Sequence, residues 1–410
     1  MSKLKIFYFE KIIVILFLSF IFRLFLTPFG TLSIDFGDWT GWSNRLVEVG
    51  FLKFYQIWSD YLPGYLYVLW ILGHIKNFLY SFGLNIPQEI IYKFPAILSD
   101  MILIFVAYKI SRRYWSQKIA LITSAIFAFN PAIFANSTLW GQIDALNTLF
   151  YILTFILLFK NRTIMAAICL AFALLLKPQG IFLLPFVFLL MIKERWTLIE
   201  FFKGSLIFLL VFFGSFVPFS DKINLVKFIL ERYFVSLNQY QYTSLNAFNF
   251  WAIGQRWWIP DSQIWLGLPL QLWSMIIFII ISLIILINFW LRYKKSENRN
   301  LYLVFFSGGL IFLNSFIFLT RVHERLLLTP LIFLMLAAIF KKELWIFVGI
   351  LSITYVANLY FSFVWITQNF RYVFNESMIN IICAINIFVF AILLVILLKE
   401  RFHFDDSKTA

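Results

Sequence analysis

Two aspartates stand close together directly after the first hydrophobic segment, in Asp35-Phe36-Gly37-Asp38-Trp39. They open a segment, Ser33–Tyr67, that does not read as membrane-spanning. An ionised carboxylate can take the proton of a hydroxyl group as that hydroxyl attacks, which is general base catalysis. One aspartate is enough for this step, and the second could position an acceptor or bind a cation. Solvated loop acids would look the same, but the neighbouring Trp39 and Trp42 favour a functional site.

A compact set of cations and hydrogen-bond donors lies at the end of a later hydrophobic segment, in Arg321-Val322-His323-Glu324-Arg325. Two arginines and a histidine suit a phosphate group, because each guanidinium offers paired N–H donors. Glu324 could orient His323 or an arginine. The alternative is a helix end whose arginines only reach towards lipid headgroups, which leaves the histidine and the glutamate unexplained.

Three shorter polar patterns are further candidates for substrate binding. Asp60-Tyr61 precedes Pro63-Gly64, where we expect a tight turn. Trp140-Gly141-Gln142-Ile143-Asp144 stands at the start of a helix. The alternative for Asp144 is that it only stabilises the helix through its dipole. Lys177-Pro178-Gln179 separates two apolar helices and could also be a simple interfacial turn.

The composition places these residues in a membrane protein. Of the 410 residues 62% are hydrophobic and the mean hydropathy is +0.87, whereas about 45–50% apolar residues are usual in soluble proteins. The net charge of +14 could suit nucleic acid, but the basic residues cluster in short loops between hydrophobic segments, so we expect no nucleic-acid partner. Cys169 and Cys383 lie in hydrophobic segments and are interpreted as packing residues. The basic N-terminus lacks a small-residue cleavage site and is interpreted as an uncleaved first span.

The hydrophobic runs predict an all-α polytopic helical bundle with one transmembrane domain over residues 1–400 and a cytoplasmic tail over 401–410. Twelve spans are expected, or thirteen if Leu62–Phe82 also crosses, with interfacial helices in the first outer loop. The outer loops are 28–62 and 219–268, and the rings of the second are interpreted as an interfacial aromatic belt. Lys93 and Asp100 share one helix face within a span, and we expect structural partners for both. The predicted spans lie near residues 9–27, 91–110, 118–135, 145–160, 163–176, 180–192, 203–217, 269–290, 301–320, 326–340, 343–363 and 377–398.

The distribution of basic residues predicts the orientation of the bundle. Placing both termini and the basic loops in the cytoplasm puts most of the 34 Lys and Arg residues on that side. Nearly every polar pattern described above then lies on the opposite side. We therefore predict a multi-pass integral membrane protein, in the cell membrane if the source is prokaryotic, with an extracytoplasmic active site.

Together these motifs resemble the GT-C superfamily of polytopic glycosyltransferases over about residues 30–330. Asp35, with Trp42 seven residues later, is similar to the first-loop aspartate of lipid-linked-oligosaccharide glucosyltransferases and bacterial mannosyltransferase-like relatives. Asp60-Tyr61-Leu62-Pro63-Gly64-Tyr65-Leu66-Tyr67 is similar to their Asp-Tyr-Pro-Pro-Gly-Tyr-Leu-Tyr element, with Leu62 in place of the first proline. Residues 140–144, 176–179 and 322–325 also fit patterns of the group.

The resemblance implies a donor sugar linked to a polyprenyl phosphate. With the predicted base and the predicted outer-face site, we expect an inverting transfer of a hexose to an extracytoplasmic lipid-linked or glycan acceptor, although the sequence identifies neither the sugar nor the acceptor. The resemblance implies Asp35 as the general base and contacts of His323 and Arg325 with the donor phosphate. Asp38 is a second candidate catalytic residue on the sequence alone. The expected partners are donor, acceptor and membrane lipids; no cofactor or metal is expected, although a divalent cation on the aspartate pair is a less favoured alternative. The candidate substrate-binding residues are Asp60, Tyr61, Trp140, Gln142, Asp144, Lys177, Gln179, Arg321, His323, Glu324 and Arg325.

Two other functions compete with this hypothesis. A transporter or flippase of a lipid-linked sugar would place essential charges on both membrane faces and at the middle of the membrane. A non-catalytic membrane assembly factor would leave the outer acids dispensable. No Gly-rich phosphate loop follows a strand in the sequence, so we do not expect a nucleotide-binding domain.

Overall fold

Helices dominate the fold in a computed structural model of the protein, which describes residues 3–220, 224–294 and 299–399. The α-helices are α1 (Lys3–Leu26), α2 (Ser33–Val49), α3 (Pro63–Ser81), α4 (Gln88–Tyr114), α5 (Gln117–Phe129), α6 (Pro131–Phe134), α7 (Asp144–Phe159), α8 (Thr163–Leu176), α9 (Leu184–Lys193), α10 (Leu198–Gly214), α11 (Leu225–Asn238), α12 (Leu270–Arg292), α13 (Arg299–Phe318), α14 (Leu328–Ala338), α15 (Leu344–Thr367) and α16 (Glu376–Lys399). Short 3-10 helices form at Phe54–Gln56, Pro178–Leu183, Val217–Phe219, Phe250–Ala252 and Glu324–Leu327, and a π-helical turn at Ala135–Trp140. Strands β1 (Ile264–Trp265) and β2 (Leu268–Pro269) pair antiparallel, with Ile264 opposite Pro269.

Seven helical segments of the described chain are long and apolar enough to cross a membrane: Gln88–Tyr114, Gln117–Trp140, Leu198–Phe219, Leu270–Arg292, Asn300–Phe318, Leu344–Thr367 and Glu376–Lys399. Three shorter apolar helices lie at Asp144–Phe159, Thr163–Leu176 and Pro178–Lys193. The predicted helical polytopic membrane fold is confirmed, and each hydrophobic run predicted as a span coincides with a helix. The number of spans and the single domain remain predictions, and the predicted tail over 401–410 lies outside the described residues.

The chain divides into two compact units. The first unit comprises Met1–Phe25, Ile97–Asn136 and Tyr242–Ala410, and the second unit comprises Leu26–Ala96 and Ser137–Gln241. Each unit has its own hydrophobic clusters.

The core of the second unit is built where α2 packs against α3. Trp39, Trp42 and Leu46 are three and four residues apart, so they share one face of α2. That face is buried in a cluster with Leu66 and Leu69 of α3. Ser43 donates its hydroxyl to the carbonyl oxygen of Leu69 at 2.7 Å, which fixes the two helices side by side. The predicted outer loop 28–62 contains α2 and the 3-10 helix Phe54–Gln56, and the apolar stretch Leu62–Phe82 forms α3.

The tight turn expected at Pro63-Gly64 is instead the start of α3, so that prediction is wrong. Leu62 is extended, with φ −78° and ψ 162°, and Pro63 is the first helical residue, a position that suits its fixed φ and missing N–H. A Cβ on Gly64 would lie 2.6 Å from the carbonyl carbon of Leu175. The glycine is needed because the start of α3 touches the backbone of α8, and no turn is involved.

In the first unit, α14 is the most enclosed helix. Every residue of Leu328–Ala338 is buried, and the helix packs against α13 and α15. An apolar helix that is covered on all sides has no preferred outer face, which is why its sequence shows little amphipathic pattern.

The interpretation of loop 219–268 as an aromatic belt is wrong for its central rings. Trp251 and Trp257 are each only 7% exposed. Trp257 packs 5.4 Å from the ring of Phe361, and Trp251 donates its indole N–H to the carbonyl oxygen of Phe318 at 2.7 Å. These rings belong to the core of the first unit, whereas Trp265 is 51% exposed, as a belt residue would be.

A buried ion pair accounts for Asp100. In the first unit, Arg23 Nε lies 2.8 Å from Asp100 Oδ2, and both side chains are 0% exposed. Arg23 also donates Nη1 to the carbonyl oxygen of Ala128 at 2.8 Å. A buried charge within an apolar helix needs such partners, because an uncompensated one is very costly. The structural partner predicted for Asp100 is confirmed.

Candidate active site

Asp35 lies in the first turn of α2, where two buried side chains hold its carboxylate. Its Oδ2 accepts the indole N–H of Trp140 at 3.1 Å and a second hydrogen bond from Nε2 of Gln142. Trp140 and Gln142 are 3% and 1% exposed, whereas Asp35 is half-buried. Two donors on one oxygen fix the orientation of the carboxylate, which is what a general base requires.

The backbone that presents Trp140 and Gln142 is held by Lys93. Gly141 adopts a φ of 91°, and a Cβ there would lie 3.1 Å from the Lys93 side chain. The buried Lys93 donates its Nζ hydrogens to the carbonyl oxygens of Leu139 at 2.9 Å and Thr27 at 2.7 Å. The structural partner predicted for Lys93 is therefore confirmed. The sequence did not reveal that these bonds support the segment that holds Asp35.

Gln142 Oε1 and Gln179 Oε1 are two of the three buried amide oxygens of the second unit that have no hydrogen-bond partner among the described residues; the third is Asn147 Oδ1. Buried polar atoms in proteins are nearly always satisfied, so each such oxygen calls for an explanation. A ligand rich in hydroxyl groups would supply the missing donors. Gln142 and Gln179 were predicted from the sequence as substrate-binding residues.

Asp38 has a different environment from Asp35, although it lies only one turn further along α2. It is half-buried, and its burial, together with the neighbouring charge of Asp35, raises the pKa of the carboxyl above its ordinary value of 3.8. The two carboxylates are three residues apart and so lie on the same side of the helix. The differing environments favour separate roles for the two acids.

Asp144 and Lys177 form an ion pair that the sequence did not predict. Lys177 Nζ lies 2.5 Å from Asp144 Oδ1, and their side chains are 11% and 2% exposed. Asp144 is the first residue of α7, and Lys177 is the extended residue that separates α8 from the following 3-10 helix. The ion pair accounts for both charges, so neither is only a helix-dipole residue or only a turn residue.

Asp60 and Tyr61 lie in the extended segment that leads into α3, and both are half-buried. The ring of Tyr61 packs 5.2 Å from that of Trp42 and 5.6 Å from that of Tyr65. Tyr55 donates its hydroxyl to the carbonyl oxygen of Tyr61 at 2.8 Å. An aromatic surface therefore adjoins α2, the helix that carries both aspartates.

In the first unit, Arg321 is paired with an acid that the sequence did not single out. Its Nε lies 2.7 Å from Asp261 Oδ2 and its Nη2 lies 3.3 Å from Asp261 Oδ1. Thr320 donates its hydroxyl to the same carboxylate at 3.1 Å. Arg321 has a φ of 62°, an unfavourable backbone conformation for a residue with a side chain. The bidentate pair with the buried Asp261 helps to hold this turn.

The remaining residues of the cluster are anchored through their backbone. Val322 accepts the backbone N–H of Leu245 at 3.0 Å, and the carbonyl oxygen of Arg325 accepts the hydroxyl of Tyr355, also at 3.0 Å. Glu324 is 2% exposed, and its Oε1 lies 4.0 Å from Nη1 of Arg325. His323 and Arg325 are half-buried on this backbone.

No group of three or more His, Cys, Asp or Glu residues suited to a metal ion occurs in residues 3–220, 224–294 and 299–399. The aspartate pair of α2 therefore lacks a third protein ligand of these types within the described chain. Oxygen-ligated cations such as Ca²⁺ and Mg²⁺ take six or more ligands, of which the pair could supply only a part.

A part of the chain matches a known enzyme family. Residues 74–220 match the family model described as dolichyl-phosphate-mannose-protein mannosyltransferase, which is part of the GT-C superfamily of membrane glycosyltransferases. The predicted resemblance to GT-C enzymes is confirmed. No curated protein matches the chain. The match includes residues 140–144 and 177–179, whereas Asp35 and residues 321–325 lie outside it.

Proposed function

We propose that the protein is a mannosyltransferase of the membrane, which uses a polyprenyl-phosphate-linked mannose as donor. The acceptor in this proposal is a lipid-linked or glycan hydroxyl on the extracytoplasmic side. The observation that carries the proposal is the carboxylate of Asp35, held by Trp140 and Gln142 in a chain that matches a mannosyltransferase family.

The reaction that fits this site is a single displacement with inversion at the anomeric carbon. Asp35 accepts the proton of the acceptor hydroxyl while that oxygen bonds to the anomeric carbon, and the bond to the donor phosphate breaks. The bonds from Trp140 and Gln142 to Oδ2 restrict rotation of the carboxylate during this step. The polyprenyl phosphate leaves with the electron pair of the broken bond.

The hydroxyl groups of the substrates have suitable partners in the second unit. Gln142 Oε1 and Gln179 Oε1 are buried acceptors without a partner among the described residues, and a sugar hydroxyl could donate to each. Asp38, which lies on the same side of α2 as Asp35, would position the acceptor. Asp60 and Tyr61 would line the acceptor side beside the rings of α2 and α3.

The departing phosphate gains negative charge, and we propose His323 and Arg325 as its partners. Both are half-buried on a backbone held by Leu245 and Tyr355. Glu324, close to Nη1 of Arg325, would orient the guanidinium. Arg321 already has a carboxylate partner in Asp261, so it would share its charge between that carboxylate and the phosphate. Lys177 of the second unit is paired with Asp144.

The alternative of a lipid-linked-sugar transporter draws less support from the structure. It would use charges inside the spans, of which Lys93 and Asp100 were the candidates. Lys93 is held by backbone carbonyl oxygens and Asp100 by Arg23. These partners give both charges a structural role.

The deciding experiment uses the purified full-length protein with a panel of polyprenyl-phosphate sugars that includes mannose and glucose. We expect turnover of the mannose donor, measured as transfer or as slow hydrolysis, and an inverted anomeric configuration in the product. No turnover of any donor, together with donor translocation in vesicles, would instead establish the transporter.

A further inference from the structure

An apolar cavity of about 260 Å³ lies in the second unit, between α7, α8, α9 and α10. Its lining includes Leu158, Leu170, Val187, Met191, Phe201 and Phe208. The cavity begins at Thr154 on α7, ten residues from Asp144, which is about 15 Å along a helix. It also includes Thr163, at the opposite end of α8 from Lys177. The cavity is therefore distinct from the candidate active site.

The cavity opens to the outer surface of this helical group. Phe188 and Leu209 line it and are 48% and 46% exposed. On α10, which is apolar almost throughout, only Gly204 is buried. The segment Leu198–Phe219, which includes α10, is long and apolar enough to span a membrane. Its exposed face is therefore suited to contact lipid, with the cavity opening towards hydrocarbon chains.

One polar group in the lining has no partner among the described residues. The indole N–H of Trp196 is buried and makes no hydrogen bond there, although the Trp196 ring lines the cavity. A purely apolar occupant would leave this donor unsatisfied, which costs free energy. A chain that ends in an ester or phosphate oxygen would satisfy it.

Positive charges flank one end of the cavity. Arg162, Arg195 and Lys203 are exposed, and each is the sequence neighbour of a lining residue: Thr163, Trp196 and Gly204 respectively. The acids of the same region are less accessible to a ligand than these basic residues. Glu194 is 7% exposed, and Glu200 accepts the backbone N–H of Thr197 as part of a helix cap. The rim of the cavity is thus suited to an anionic group.

We propose that this cavity binds one acyl chain of an anionic phospholipid, whose phosphate lies against Arg162, Arg195 and Lys203. The apolar lining takes the chain, the indole N–H of Trp196 meets an oxygen of the headgroup region, and the basic rim selects a negative headgroup. Loops rich in Lys and Arg face the cytoplasm in membrane proteins, so the lipid comes from the cytoplasmic leaflet. The site is independent of the sugar-transfer reaction.

The test measures lipid binding by native mass spectrometry on the purified full-length protein, with phosphatidylglycerol and phosphatidylcholine of identical chains. Gly204→Leu fills the cavity, since a Cβ at this position lies 3.1 Å from Thr163 Cγ2 and 3.5 Å from Trp196 Cζ3. Gly214→Leu is the matched control on the same helix, with nothing within 4 Å of its Cβ. A triple variant, R162Q/R195Q/K203Q, removes the basic rim and leaves the cavity intact.

We expect tighter binding of phosphatidylglycerol than of phosphatidylcholine, at least tenfold weaker binding of phosphatidylglycerol to Gly204→Leu, and unchanged binding to Gly214→Leu. The triple variant should bind phosphatidylglycerol about a hundredfold more weakly, because each basic residue near an anionic lipid adds several-fold to the affinity. Equal affinity of the wild type for the two lipids overturns the proposal, and so does wild-type binding by Gly204→Leu. If Gly204→Leu does not fold, the triple variant decides, and its unchanged affinity for phosphatidylglycerol overturns the proposal.

Discussion

Trp140 donates its indole N–H to Asp35 at 3.1 Å, and the two residues are 105 positions apart in the sequence. The bond joins the first turn of α2 to the turn that ends the π-helical segment before α7. Because Trp140 is almost fully buried, it has few alternative positions, so it can restrict the carboxylate that it contacts. The reactivity of Asp35 should therefore depend on a residue that never touches the proton being transferred.

Replacing Asp35 by asparagine tests the proposed base most directly. The variant keeps the shape of the side chain but removes the proton acceptor, so kcat should fall by about 10²–10⁴-fold, the usual contribution of general base catalysis. Donor affinity should be unchanged, because the base contacts the acceptor. Asp38→Asn is the control and should mainly raise the acceptor KM. Full activity of Asp35→Asn would remove this aspartate from the mechanism, and a loss seen only in Asp38→Asn would exchange the two roles.

Trp140→Phe should lower kcat without abolishing it. The ring is retained, but the donor to Asp35 is lost, and a hydrogen bond to a charged group is worth about 1.5–3 kcal/mol. This corresponds to a decrease of about 10–100-fold in kcat, since 1.36 kcal/mol is a factor of ten in rate. Trp251→Phe, which loses an indole bond to the carbonyl oxygen of Phe318, is the matched control. Equal effects on kcat in the two variants would show that only general packing has been disturbed.

The sequence predicted the helices well but not their ion pairs. Hydrophobic runs report the positions of spans because burial in lipid demands long apolar segments. The partners of Lys177 and Arg321 are 33 and 60 residues away, and no local pattern connects such pairs. Asp261 was overlooked because the surrounding rings were interpreted as a belt at the membrane surface. The candidate residues 140–144 could be found from the sequence, but the contact between Trp140 and Asp35 required the fold.

The raised pKa of Asp38 predicts a pH dependence of stability. The folded protein retains the Asp38 proton at pH values where the unfolded chain, with the ordinary pKa of 3.8, has lost it. The contribution of Asp38 to the free energy of unfolding therefore falls as the pH rises from 3.8 to the higher folded pKa, and the penalty persists above that range. Asp38→Asn removes the penalty. The Tm of the variant minus the Tm of the wild type, measured by thermal unfolding in detergent, should therefore be larger at pH 7 than at pH 3.5.

Glu48→Gln is the control for this experiment, because Glu48 is an exposed acid on the same helix. The Tm difference between Glu48→Gln and the wild type should not show the increase from pH 3.5 to pH 7 that is expected for Asp38→Asn. A Tm difference for Asp38→Asn that is the same at both pH values would contradict the prediction.

Lys93→Met should reduce both stability and kcat. The variant has a similar length but loses the ammonium donors to the carbonyl oxygens of Thr27 and Leu139, and each such charged hydrogen bond is worth about 1.5–3 kcal/mol. Because Leu139 adjoins Trp140, the displaced backbone should also loosen the contact with Asp35. We expect a lower Tm and a lower kcat with an unchanged donor KM. Lys53→Met, at an exposed position of the same unit, is the control and should change neither Tm nor kcat. A normal kcat in Lys93→Met would show that Lys93 does not support the candidate active site.

Arg325→Ala should act on donor binding rather than on the proton transfer. Loss of a charge-assisted contact with the donor phosphate is worth about 1.5–3 kcal/mol, so the donor Kd should rise by about 10–100-fold. The backbone bond from Tyr355 to the Arg325 carbonyl oxygen does not involve the arginine side chain, so the fold around residue 325 should survive, and an unchanged Tm would verify this. Arg371→Ala, which removes an exposed arginine of the same unit, is the matched control and should bind the donor normally. Binding measured by titration with a polyprenyl-phosphate sugar decides the question, because an unchanged Kd in Arg325→Ala would exclude this guanidinium from the phosphate site.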